Sequence, residues 1–67
     1  MTQVEFTQML RSNYEKMLLT KRETAKEISV SEATLDRLRQ TGQITSKKIL
    51  GQIMFGIDEV ARFLADA

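Results

Sequence analysis

The 67-residue chain contains no cysteine and no histidine. Disulfides are excluded by the first absence, and the ligand sets of ordinary zinc sites by the two together. A catalytic base would have to be a carboxylate or a lysine, and the three glycines, at positions 42, 51 and 56, form no glycine-rich phosphate loop. Asp58 and Glu59 are neighbours on a helical segment and point apart, so they cannot work as a carboxylate pair. Accordingly, no enzymatic activity, metal, cofactor or small-molecule substrate is expected. No apolar run approaches the ~20 residues of a membrane span, and the first residues are polar and of mixed charge rather than signal-like. Lack of cysteine fits a reducing compartment, and the expectation is a soluble cytoplasmic protein. The length makes one domain, 1–67, close to the lower limit at which a hydrophobic core holds a fold without staples.

What the chain does have is a basic stretch that its totals conceal. Ten Lys and Arg against nine Asp and Glu leave a net charge of +1. Residues 21–48 hold seven of the cations (Lys21, Arg22, Lys26, Arg37, Arg39, Lys47, Lys48) against Glu23, Glu27, Glu32 and Asp36, and the remainder is net acidic. From Arg37 to Ile57 there is no acidic residue at all. An unevenly solvated surface would explain charge alone. A basic stretch that begins on a helix and runs into a hairpin is also a natural footprint for a nucleic-acid backbone.

Periodicity supplies the helix and the hairpin. Thr2 and Glu5 have capping-box spacing, and Phe6, Met9, Leu10, Tyr14, Met17 and Leu18 follow at intervals that predict an amphipathic helix over 3–18. Thr20 and Glu23 repeat the box for a shorter helix with Thr24, Ala25 and Ile28 inward, ending near Ser29. Ser31 caps a third helix over 32–40 with Ala33, Leu35 and Leu38 as buried positions and Gly42 as terminator. Ile44, Ile49, Ile53 and Phe55 are β-prone, predicting strands near 46–50 and 52–57 about a turn at Gly51-Gln52. Asp58 then caps a last helix carrying Val60, Phe63 and Leu64 on one face, with Ile57 just outside as a staple. The predicted class is mainly α with a small two-stranded β-hairpin, a winged helix-turn-helix with an extra N-terminal helix. That first helix either closes over the core or pairs with another chain, and so short a domain needs its area for the core. Phe6, Phe55 and Phe63 sit on apolar stripes without interleaved basic residues, which favours core packing over a base-stacking platform.

In such a fold the third helix fits the major groove of B-DNA. Ser31, Glu32, Thr34 and Arg37 project from its N-terminal half opposite Leu35 and Leu38. Arg37 can bind a guanine edge with two hydrogen bonds or form a helix-surface ion pair; Glu32 can accept from a cytosine amine or serve the helix dipole. Lys47 and Lys48 come just before the wing tip, where they can reach phosphates or guard an edge strand against aggregation, and alternation points them to opposite sides. Thr20, Lys21 and Arg22 stand at a helix N-terminus, where phosphate can bind, though capping accounts equally for Thr20.

The residues also carry a resemblance. With Lys21 as the first of the twenty helix-turn-helix positions, the small residue falls on Ala25, the apolar ones on Ile28, Val30, Leu35 and Leu38, and the turn on Ser29. The run from Arg37 to Ile44, Lys48 to Phe55 and then Asp58-Glu59-Val60 resembles the MerR-like winged helix-turn-helix of phage and plasmid excisionases, over about residues 19–65. Ser29 stands where such motifs usually have Gly, Thr45 where Pro is common, and Gln52 where excisionases often have a wing Arg. The resemblance implies a sequence-specific binder of double-stranded DNA that bends attachment-site DNA and steers recombination. Its implied partners are an integrase and other copies of itself on DNA, with Gln52 at the wing contact. A small transcriptional regulator of a mobile element is the alternative, and a protein-interaction module that keeps the fold without DNA binding is a third.

Overall fold

The structure is a computed structural model, describing residues Met1–Asp66. Helix α1, Gln3–Tyr14, starts at the expected capping box: the Thr2 hydroxyl accepts from the Glu5 amide at 3.2 Å and the Glu5 carboxylate from the Thr2 amide at 3.0 Å. It stops at Tyr14 rather than at 18, because Glu15 turns left-handed (φ 54°) and closes the helix by donating to Arg11 O. Leu18–Thr20 forms instead a short strand, β1, whose alternation buries Leu19 completely. Met9 and Met17 are exposed, so the buried stripe of α1 is narrower than its apolar spacing suggested. Leu10 is buried, Phe6 and Tyr14 pack against the core, and α1 lies on the last helix, which makes it part of the domain.

Thr20 ends β1 and caps α2, Lys21–Glu27, through the second capping box. Thr24 and Ala25 point inward. At the turn Ser29 takes φ 62°, the Ser29 amide bonds Lys26 O and the Val30 amide bonds Ala25 O. This pair of bonds is a Schellman closure, so the chain turns as sharply as glycine would allow and Ser29 bears a strain of about 1 kcal/mol. Helix α3, Glu32–Gln40, is capped by the Ser31 hydroxyl and closed in the same way by Gly42 at φ 81°, with the Gln43 amide on Leu38 O.

The wing is β2, Lys47–Ile49, and β3, Gln52–Gly56. Its turn is Leu50-Gly51, with φ 51° and 83°, because Gln52 is already the cross-strand partner of Ile49. Two positive φ values in a two-residue loop match the right-handed twist of the flanking strands, and the Ile49–Gln52 pairing places this loop one residue before the expected Gly51-Gln52 turn. A three-stranded antiparallel sheet results, in the order β1-β3-β2, with Leu19 opposite Phe55. Helix α4, Ile57–Asp66, begins one residue before Asp58, which therefore lies in the first turn rather than at the cap. Ile57 is buried inside the helix instead of outside it as a staple, and its amide donates to Met17 O at 3.0 Å. At this corner a Cβ on Gly56 would lie 2.6 Å from Asp58 Oδ1, so a larger residue there would require the exposed Asp58 side chain to swing away. Leu19, Leu35, Ile44, Phe55, Ile57 and Val60 form the centre of the core. No helix among the described residues is long and apolar enough to cross a membrane.

Candidate nucleic-acid interface

The acidic residues of the basic segment are largely engaged inside the domain. Glu23 pairs with Lys16 at 2.8 Å, and that contact, with the Thr20 cap, holds its carboxyl below the usual range. Asp36 binds Lys21 at 2.8 Å and Arg39 at 3.2 Å, and its carboxyl is lowered by the two, Lys21 first. Glu27 accepts the Tyr14 hydroxyl, which pushes the tyrosine pKa up to about 12. Arg22, Lys26, Arg37, Lys47 and Lys48 are all exposed and have no hydrogen-bond or ion-pair partner among the described residues. A segment with a modest formal excess of positive charge thus presents five unengaged cations to solvent.

Helix α3 turns Leu35 into the core and packs Leu38 beside it. Ala33, expected to be buried, is exposed, because two residues before Leu35 lies roughly 200° around the helix. It shares an outward stripe with Arg37 and Gln40, at spacings of four and three, and that stripe was not apparent from the order of residues alone. Arg37 forms no pair with Glu32, which is itself exposed in the first helical turn. Ser31 and Thr34 are tied to each other: the Ser31 hydroxyl accepts the Thr34 amide at 3.1 Å and donates to the Thr34 hydroxyl at 3.0 Å. Both oxygens retain lone pairs for a ligand, but the Ser31 hydroxyl is already used as the helix cap.

The α2 N-terminus separates into different roles. Thr20 is used in capping, Lys21 is half-buried and bridges to Asp36 of α3, and Arg22 alone extends freely. Lys21 therefore bridges the two helices rather than offering an open ammonium. In the wing, Lys47 lies opposite Met54 and Lys48 opposite Ile53, which places the lysines on opposite faces as expected. Lys48 shares the side of Ile53 and Phe55; Lys47 shares the outer side with Gln52, which is exposed.

Behind the interface, α4 braces the segment that joins α3 to the wing. Arg62 clamps Glu59 through Nε and Nη2, both at 2.9 Å, and donates from Nη2 to Gln43 O at 3.0 Å. Glu59 in turn accepts the Thr45 amide at 2.8 Å. The Arg62 hydrogen bond, followed by the Thr45 amide, holds the Glu59 carboxyl down at about 2. A depressed carboxylate stabilises the fold above its ordinary pKa and loses that contribution as the pH falls toward the folded value. Stability should thus decline between about pH 4.5 and 2 as the Glu59 brace is protonated. Glu59→Gln should lower stability at pH 7 by about 1–2 kcal/mol and flatten this part of the acid-denaturation curve. Chemical denaturation across that pH range checks it, and an unchanged slope in the variant would locate the acid sensitivity elsewhere.

Comparison with known proteins adds no relative: no protein-family model, curated protein or solved structure matches the chain significantly.

Proposed function

We propose that the protein is a sequence-specific binder of duplex DNA, with α3 in the major groove and the β2–β3 wing against the neighbouring backbone. The observation that carries this reading is the outward, unengaged state of Arg22, Lys26, Arg37, Lys47 and Lys48 while Glu23, Glu27 and Asp36 are engaged internally. A partner with closely spaced negative charge is the natural complement of such a surface. Helix α3 adds an arginine on an open stripe, and the wing adds two lysines that structural pairing does not consume. Within this reading, the excisionase resemblance supports an architectural factor in site-specific recombination of a phage or mobile element. Such a factor would bind tandem sites cooperatively beside an integrase, whereas a transcriptional regulator would more often dimerise on an inverted repeat.

The wing provides the test. Replacing Lys47 and Lys48 together by alanine should weaken binding to every duplex by a similar factor, because phosphates carry no sequence information. The slope of log affinity against log salt should fall by about 1 as one or two fewer counterions are released. Titration of labelled duplexes at several salt concentrations measures both. Unchanged affinity and slope would make these lysines guards of an exposed edge strand, and absence of any duplex binding by the parent at low salt would favour a protein-interaction module.

A further inference from the structure

The wing tip carries a residue that folding alone does not explain. Leu50 is fully exposed, the only large apolar side chain among the described residues with its entire surface in solvent. It also takes φ 51° at the first central position of a turn whose second position, Gly51, has φ 83°. This turn type prefers Asn-Gly, since asparagine tolerates a left-handed backbone and hydrogen-bonds locally, while leucine gains nothing there and is strained. Nothing lies within 4 Å of a Cβ built on Gly51, so the tip stands clear of the domain. Beside it are half-exposed Ile49 and the unpaired Lys47 and Lys48, and no acidic residue occurs from Arg37 to Ile57. A strained apolar point preceded on its strand by two free cations, one on each face, has the chemistry of a wedge for nucleic acid, where phosphates hold the flank and an aliphatic side chain enters between base steps.

We propose that Leu50 is such a wedge, inserted from the minor groove so that it partly unstacks a base step and kinks the duplex. The inference rests on the DNA-binding reading and extends it: α3 and the lysines locate the duplex, and Leu50 deforms it. The lysines commit the tip to an anionic partner, and the separation of roles follows from chemistry. A side chain without hydrogen-bonding groups cannot read a base edge, but it can fill the gap that opens between two bases when the duplex kinks. It also accounts for why a stabilising residue is absent from the turn.

Leu50→Asn decides it, because asparagine suits the turn and removes the wedge in one step. The variant should melt at the same temperature as the parent or higher, while its affinity for duplex DNA falls about tenfold, as expected from losing one buried aliphatic side chain. The specific readout is topological. A plasmid closed by a topoisomerase in the presence of saturating parent protein should retain superhelical turns after the protein is removed, and the Leu50→Asn plasmid at equal occupancy should retain markedly fewer. Leu50→Met should restore them. Equal topological change with parent and Leu50→Asn overturns the wedge while leaving the DNA-binding reading intact. Loss of cooperative binding with unchanged topology assigns Leu50 to a contact between copies and overturns it as well. Failure of the parent itself to bind the plasmid removes the DNA-binding reading and the wedge together.

Discussion

Leu19→Ala is expected to leave much of the protein unfolded at 37 °C. Leu19 has no exposed surface and faces Phe55 across the β1–β3 pair, and its strand also packs on α2. Truncating a leucine at such a site removes its transfer free energy and leaves a cavity, together about 2–5 kcal/mol. A domain of this size holds roughly 3–5 kcal/mol in all, so the loss is comparable with the total. Two residues away, Met17→Ala should change stability by no more than about 0.5 kcal/mol, since that side chain is exposed. Thermal and urea unfolding of the two variants measures the contrast. A stable Leu19→Ala domain would mean that β1 does not close the core, and that the sheet is in effect the two-stranded hairpin read from the sequence.

That contrast also shows where sequence reasoning reached and where it stopped. Signals that act within four residues were legible: the boxes at Thr2/Glu5 and Thr20/Glu23, the Ser31 cap and the Gly42 stop each sit where local hydrogen bonding requires. Leu18 to Thr20 was not legible, because a three-residue strand has no period of its own and exists only through pairing with β3. Its leucine at 18 and the methionine before it continue the spacing of α1, so periodicity alone extends the helix past Tyr14. The hairpin was placed correctly but its turn was one residue out, since glycine suits either central position and only the Ile49–Gln52 pairing selects one.

In the candidate interface the same division holds. Charge excess and the identity of Arg37, Lys47 and Lys48 came from composition and order. Engagement did not, because Lys21–Asp36 and Thr45–Glu59 join segments that are distant in the chain. The first of these contacts occupies the Lys21 ammonium and leaves Arg22 as the free cation beside it. Ala33 is ambiguous in sequence for a simpler reason: alanine is apolar enough for a core and small enough for a surface, and the helix phase set by Leu35 decides between them.

Arg37→Ala should separate recognition from attachment. Arg37 lies on the outward stripe with Ala33 and Gln40 and has no intramolecular partner, so its guanidinium is available for a base edge without breaking any contact in the domain. An arginine placed over a guanine makes two parallel hydrogen bonds, and removing it should cost about 1–3 kcal/mol on a site selected from random duplexes. On unselected duplex the loss should be much smaller, because there the side chain offers only one charge among several. Arg37→Lys should recover the unselected binding but little of the preference, since an ammonium cannot reproduce the planar fork. Stability should be unaffected by either change, which a melting curve verifies before binding is compared. Equal losses on selected and unselected DNA would show that Arg37 touches phosphate. Sequence choice would then fall to the rest of the stripe, where Gln40 can hydrogen-bond an adenine edge and Ala33 can contact a thymine methyl.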